Sequence, residues 1–365
     1  MSPVIAQKEK LPIVGPRDYG YPNARLRGMR SRLLKAEAFE HLIATGGMHQ
    51  LIQELMRTEY APDLEEVLIH GRGAAEVSDA LQRHLIRIHE KVFGFLNQEA
   101  KDICATMLGR WDVFNIKTIL RGKLYGLGSA EISGNLMPVG ALGSVDLAGL
   151  LAQSDVSGVI DTASTWELPQ APALRDGYEK YQATGNFVDV ELALDRYYAG
   201  WAGSRLARRN SNYAMIRKLL CAQIDILNTV TAFRASRDRL SLEAAKEYFL
   251  SGGDGISVSL FGQLVAASDA GGLLEALRST PFSAALEGVA SQYAEDPSIV
   301  VFERALEDYF TRKMVALSST DSLGVGIPLA YLWGKQNEVT NIRIITKAKE
   351  VGIPLERTRR ELILV

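Results

Sequence analysis

The amino-acid sequence predicts an all-α fold, and three observations carry that prediction. Apolar residues recur at i, i+3 and i+4 through most of the chain. The β-branched alternation typical of strands is rare. One helical pattern also returns at a fixed interval of 113 residues. Repeated helical units in one chain stack pseudo-symmetrically as a ring, funnel or solenoid, and such shapes present a concave face to a partner.

Residues 1–18 hold three prolines and no periodicity, so they read as a tail. A helix then follows from Pro22, whose missing N–H suits a first turn. Leu26, Met29, Leu33, Ala36 and Phe39 form its apolar stripe. Its other face carries Arg25, Arg27, Arg30, Arg32 and Lys35, with no acid before Glu37. From Leu64 to Leu108 the pattern is helical, broken around Gly71–Gly73. The stretches Arg209–Leu240 and Ser298–Leu317 are helical again. Between them Ser241 and Glu243 give a near-capping start, and Ser251–Gly255 reads as a turn. A short strand near Ile256–Leu260 is the competing pattern, too weak to alter the class.

The repeat rests on two elements in register. The segments DVFNIKTILRGKLYGLGSAEI, DILNTVTAFRASRDRLSLEAA and EVTNIRIITKAKEVGIPLERT each read acid, aliphatic, any residue, Asn, then a helical run. They place Asn115, Asn228 and Asn341 at intervals of 113, and a base six residues later in each: Arg121, Arg234 and Lys347. A weaker fourth copy contains Asn23. The second element starts at Leu42, Leu150 and Leu264, and each copy ends in Thr followed by an aromatic residue. The expected organisation is a tail (1–18), helical units at 19–110, 111–223 and 224–336, and C-terminal helices (337–365) closing against the first unit.

Composition excludes several classes. The 365 residues are 47% hydrophobic and 23% charged, with net charge −2, an ordinary globular balance of two or three domains and unlike a nucleic-acid binder. Cys104 and Cys221 form no CxxC pair, which argues against a disulfide scaffold or a cysteine-rich zinc site. No signal peptide or membrane span is expected; the run from Leu136 is short, Gly-rich and broken by Asp146. No GxxxxGK[ST] loop, GxSxG elbow or aspartate-rich motif occurs. His41, His49, His70, His84 and His89 read as surface or satisfied core residues, and Glu65–Glu66 is ordinary helix surface. No catalytic residue, metal or cofactor is expected.

The repeated segments also carry a family resemblance. YGYPNARLRGMRSRLL, WDVFNIKTILRGKLYG and NEVTNIRIITKAKEVGIPLERTRREL resemble, in order, the N-terminal, middle and C-terminal signatures of the C-subunit (AC39, or d) family of V-type and archaeal-type ATPases, over roughly residues 18–365. The resemblance implies three similar helical subdomains forming a funnel around a pseudo-threefold axis. It implies central-stalk subunits D and F at the wide mouth and the proteolipid ring at the opposite face. One copy would turn with the rotor on the cytoplasmic side of the membrane during proton or sodium transport. ATP would be bound elsewhere in the complex. Composition and periodicity alone fit a soluble helical-repeat adaptor equally well.

The candidate interface residues each have two readings. Asn23, Asn115, Asn228 and Asn341 can hold helix ends or neighbouring backbone, or meet a partner. Arg25, Arg27 and Arg30 form a solvated face or a surface for an acidic partner or lipid headgroups, a choice shared by Arg205, Arg208 and Arg209. Arg121, Arg234, Arg343 and Lys347 complete the set. Trp111, Trp166, Trp201 and Trp333 read as packing residues unless one is exposed at a mouth.

Overall fold

The computed structural model describes residues 18–69, 71–208, 210–267, 269–295 and 298–365. Residues 1–17 of the N-terminal tail, His70 and Arg209 therefore lie outside the described residues. All regular structure among the described residues is helical, and the stretch weighed as a strand instead opens the helix Val258–Ala266.

Side-chain caps set several helix starts. Asn97 accepts from the Ala100 N–H at 2.8 Å, Asp155 from Gly158 at 2.8 Å, and Asp269 from Gly272 at 2.8 Å. Each satisfies an N–H that has no partner within its helix. The Asn97 cap divides Ala74–Phe95 from Gln98–Leu108, a second break that the sequence pattern concealed. The N-terminal helix is also shorter than its stripe predicts. It spans Gly20–Arg30, and a new helix runs Ala36–Ala44. The reason is tertiary: the Leu34 N–H donates to the Glu338 carboxylate at 2.6 Å and pins the chain between the two helices.

The 113-residue interval recurs in three-dimensional contacts. The three long repeat helices are Arg110–Leu124, Ser211–Arg237 and Gly326–Val351. Each ends in a turn with a left-handed residue, Gly126, Arg239 or Gly352, followed by Leu127, Leu240 or Ile353. The N–H of that aliphatic residue reaches back five positions, to Gly122, Ala235 or Ala348, at 2.8, 3.0 and 2.8 Å. This is the Schellman bond that satisfies a terminal carbonyl. A short helix then begins at Ser129, Leu242 or Leu355.

Three hydrophobic cores hold these elements. One joins Phe39–Leu85 side chains to Val339, Ile342, Ile345 and Leu362 from the far end of the chain. A second spans Ala232 to Leu306. The largest takes in the 88–250 region together with Phe310–Trp333.

Candidate partner-binding site

The repeated asparagines are buried and act on backbone. Asn115 donates to the Met137 carbonyl and accepts from the Met137 N–H, both at 2.8 Å. Asn228 does the same to Leu250 at 2.9 and 2.8 Å, and Asn341 to Ile363 at 2.8 and 3.2 Å. In every copy the partner lies 22 residues further on. A carboxamide matches a peptide group donor for acceptor, which is why Asn recurs here. Asn23 departs from the pattern. Its amide reaches the Gly324 carbonyl at 3.0 Å and its buried oxygen has no donor.

The acid three residues before the first two of these repeated asparagines anchors the segment that follows. Asp112 accepts from Ala141 and Leu142, and Asp225 from Asp254, Gly255 and Ile256. Burial raises the Asp112 carboxyl, opposed by these N–H donors. Glycine is required where the backbone passes: a Cβ on Gly140 or Gly253 would stand 2.1 Å from the Asp112 or Asp225 oxygen. That gives part of the Gly-rich stretch 126–149 a structural purpose.

The predicted bases divide. Arg121 pairs with Glu191, Arg234 with Glu303 at 2.8 Å and exposed Lys347 with Glu350 at 2.6 Å. Arg343 is different. Its guanidinium donates to the Leu136 carbonyl at 3.2 Å, two of its nitrogens are buried without acceptors, and burial lowers it to about 10. On the N-terminal helix, Arg25 stacks over Phe95 at 4.6 Å, Arg27 donates to the Ser322 carbonyl at 2.5 Å, and Arg30 is exposed. Arg205 and Arg208 both pair with Asp102, at 2.8 and 3.0 Å.

His84 and His89 are buried but not fully satisfied. His84 Nδ1 meets Asp63 at 2.9 Å, while His84 Nε2 and His89 Nδ1 have no partner. Burial lowers His84 to about 4, with a further push from Lys335, and lowers His89 to about 3.

Sequence reasoning missed the place where the three repeat helices face one space. A cavity of about 170 Å³ is lined by Arg110, Gln223 and Gln336, which are spaced 113 apart. Leu227 and Thr340, also 113 apart, line it, as do Trp111, Trp333, Phe310, Glu303 and Glu307. The signal existed in the sequence, since the positions five residues before each asparagine share the repeat. At the other ends of the same helices, Tyr125 with Leu127, Leu240 with Leu242, and Val351, Ile353 and Leu355 are exposed. Among the described residues no helix is long and apolar enough to cross a membrane, and no group of three His, Cys, Asp or Glu is placed to hold a metal.

These features define a helical scaffold whose equivalent positions converge on a shared recess. The sequence signature of the ATP synthase (C/AC39) subunit family matches residues 22–361. The C subunit of the V-type ATP synthase from Deinococcus radiodurans is 30% identical over 95% of this chain and 92% of its own length. The C subunits of the A-type ATP synthases from Methanocaldococcus jannaschii and Methanobrevibacter smithii are 27% and 29% identical, over 94% and 96% of this chain and 86% and 90% of theirs. The chain belongs to the ATP synthase (C/AC39) subunit family and is part of a rotary ATPase.

Proposed function

We propose that this chain is the non-catalytic rotor component that couples the central stalk, subunits D and F, to the proteolipid ring. The cavity carries the proposal. Three helices that share a repeat each offer the same position to one recess of about 170 Å³, room for side chains of a stalk seated at its mouth. The three units are those of the repeat, with the C-terminal segment completing the first. Torque passes through interlocked side chains around that recess rather than through chemistry.

The opposite helix ends supply the second contact. From Leu227 in the cavity to Leu240 at the helix end is roughly 20 Å at the α-helical rise. Exposed aliphatic side chains at equivalent ends of three helices fit a partner that itself repeats around a circle. The chain then sits peripherally at the cytoplasmic face, held by its partners.

Affinity purification of the tagged protein from detergent-solubilised host membranes tests this reading. Recovery of the proteolipid together with the central-stalk and nucleotide-binding subunits is expected. Recovery of the bait alone, or with unrelated soluble proteins, refutes the proposed coupling role.

A further inference from the structure

One cation in the cavity makes no ion pair among the described residues; Glu307, on the same lining, acts on it only from beyond contact distance. The Arg110 guanidinium lies 5.0 Å from the Trp111 ring centre and 4.7 Å from that of Trp333. No carboxylate stands at ion-pair distance from it among the described residues. The two acids lining the cavity are engaged elsewhere, Glu303 with Arg234 and Glu307 with Arg304. Burial depresses the guanidinium below its ordinary range. A desolvated charge is costly unless paired, and aromatic faces compensate only part of that. With two indoles against it, the group has its N–H edge left for recognition. That edge is a planar fork matching a carboxylate in two parallel hydrogen bonds.

The repeat makes this charge informative. The positions equivalent to Arg110 are Gln223 and Gln336, both neutral. Gln336 already accepts from the Trp111 indole at 2.9 Å, and the Gln223 carboxamide oxygen has no donor. Of these three repeat-equivalent positions only one is cationic, so a carboxylate entering the recess meets one such partner and not three.

We propose that Arg110 receives a carboxylate side chain of the central stalk, and that because its two equivalents are neutral it fixes a single rotational setting of the stalk in the socket. This rests on the rotor reading above and goes beyond it in naming the contacting group, the partner's chemistry and the source of a unique register. Arg110 is the positioning residue of the joint. The cavity has room for a carboxylate, and the pair formed there would be shielded from water by Trp111, Trp333 and Phe310.

The test uses purified stalk subunits D and F and the full chain, with affinity and cross-linking as readouts. R110Q makes all three positions glutamine and should weaken stalk binding by about thirtyfold to a few thousandfold, the loss seen when one partner of a buried charge pair is removed. R110K keeps the charge but loses the fork, and should bind nearly as weakly. The double variant R110Q/Q223R moves the cation to the next wall. It should regain affinity while a cysteine at Thr340 cross-links a different stalk residue. Wild-type affinity in a folded R110Q, or an unchanged cross-link in a folded R110Q/Q223R, overturns the proposal. If R110Q melts early, R110K decides: wild-type affinity there overturns the proposal, and weak binding with an intact melting temperature supports it. Failure of the wild-type chain to bind the stalk refutes the rotor reading itself, a different outcome from any variant's. Phosphate added to R110Q separates a free-anion site from a stalk contact. If phosphate protects the wild type from heat as strongly as the stalk does, Arg110 is an anion site and the proposal falls.

Discussion

Asp112 and Asp225 each anchor a loop from their own stretch of chain, whereas Glu338, at the equivalent position, anchors a segment 304 residues away. The first two use backbone N–H donors alone. Glu338 adds the Tyr60 hydroxyl and the ammonium of Lys335, both at 2.6 Å, and all three side chains are buried. Where the chain is continuous, hydrogen bonds to a nearby loop suffice. Where the joint brings distant parts together, a buried ion pair and an aromatic ring (Lys335 lies 5.2 Å from the Tyr60 ring centre) do the fastening. The difference places a buried ion pair at a joint that spans 304 residues of chain.

The largest effect should come from breaking that pair on one side. K335M leaves Glu338 buried without its cation and should lower stability by about 3–5 kcal/mol in urea unfolding. D225N, which loses the charge and turns one of the two accepting oxygens into a donor facing an N–H, should lose about 1–3 kcal/mol. Equal losses would mean the two joints do not differ as argued. Next come the asparagine clasps. N228A or N341A leaves a buried N–H and a carbonyl unpaired, at about 2 kcal/mol each. N23A, whose amide makes one backbone bond, should lose less; a loss as large would make the fourth copy an equal member.

Acid should act through the helix Ala74–Phe95, which carries both buried histidines. Their folded values, about 4 and about 3, lie below the ordinary 6.5. The unfolded chain therefore binds more protons below pH 6.5. The neutral histidines' stabilisation is complete above that value and is lost as pH falls toward 4, with a slope approaching ~3 kcal/mol per pH unit for the two together. Melting temperature against pH measures it, and H84Q/H89Q should flatten the curve between pH 6.5 and 4. The smallest effect concerns the helix ends. Arg239 adopts the left-handed conformation that Gly126 and Gly352 adopt in the other copies. R239G should raise stability by about 1 kcal/mol, whereas G352A should lower it by a similar amount.

The helical class, the period and the asparagines were legible because each is a local pattern repeated in register. What the asparagines hold was not. Met137, Leu250 and Ile363 share only apolarity, and the clasped groups are backbone, which leaves no mark in a sequence. The break at Asn97 had a signal in the Asn-Gln-Glu start, masked by unbroken apolar spacing on both sides. Nothing local in the sequence announces that Glu338 and Tyr60 enclose Lys335. Arg110 was passed over because it precedes the repeated motif, although its spacing from Gln223 and Gln336 was countable. The family resemblance pointed to a rotary ATPase, but the wall that carries a charge came from packing.

The core that joins Phe39–Leu85 to Val339, Ile342, Ile345 and Leu362 also sets a schedule for biosynthesis. Its first contributor, Phe39, leaves the ribosome roughly 320 residues before its last, Leu362, an interval of tens of seconds at ordinary elongation rates. Through that time Leu51, Leu55, Leu64 and Leu81, all fully buried at the end, lack the helix that covers them. Until the last long helix is made and docks, these side chains stay open to water or to transient local packing.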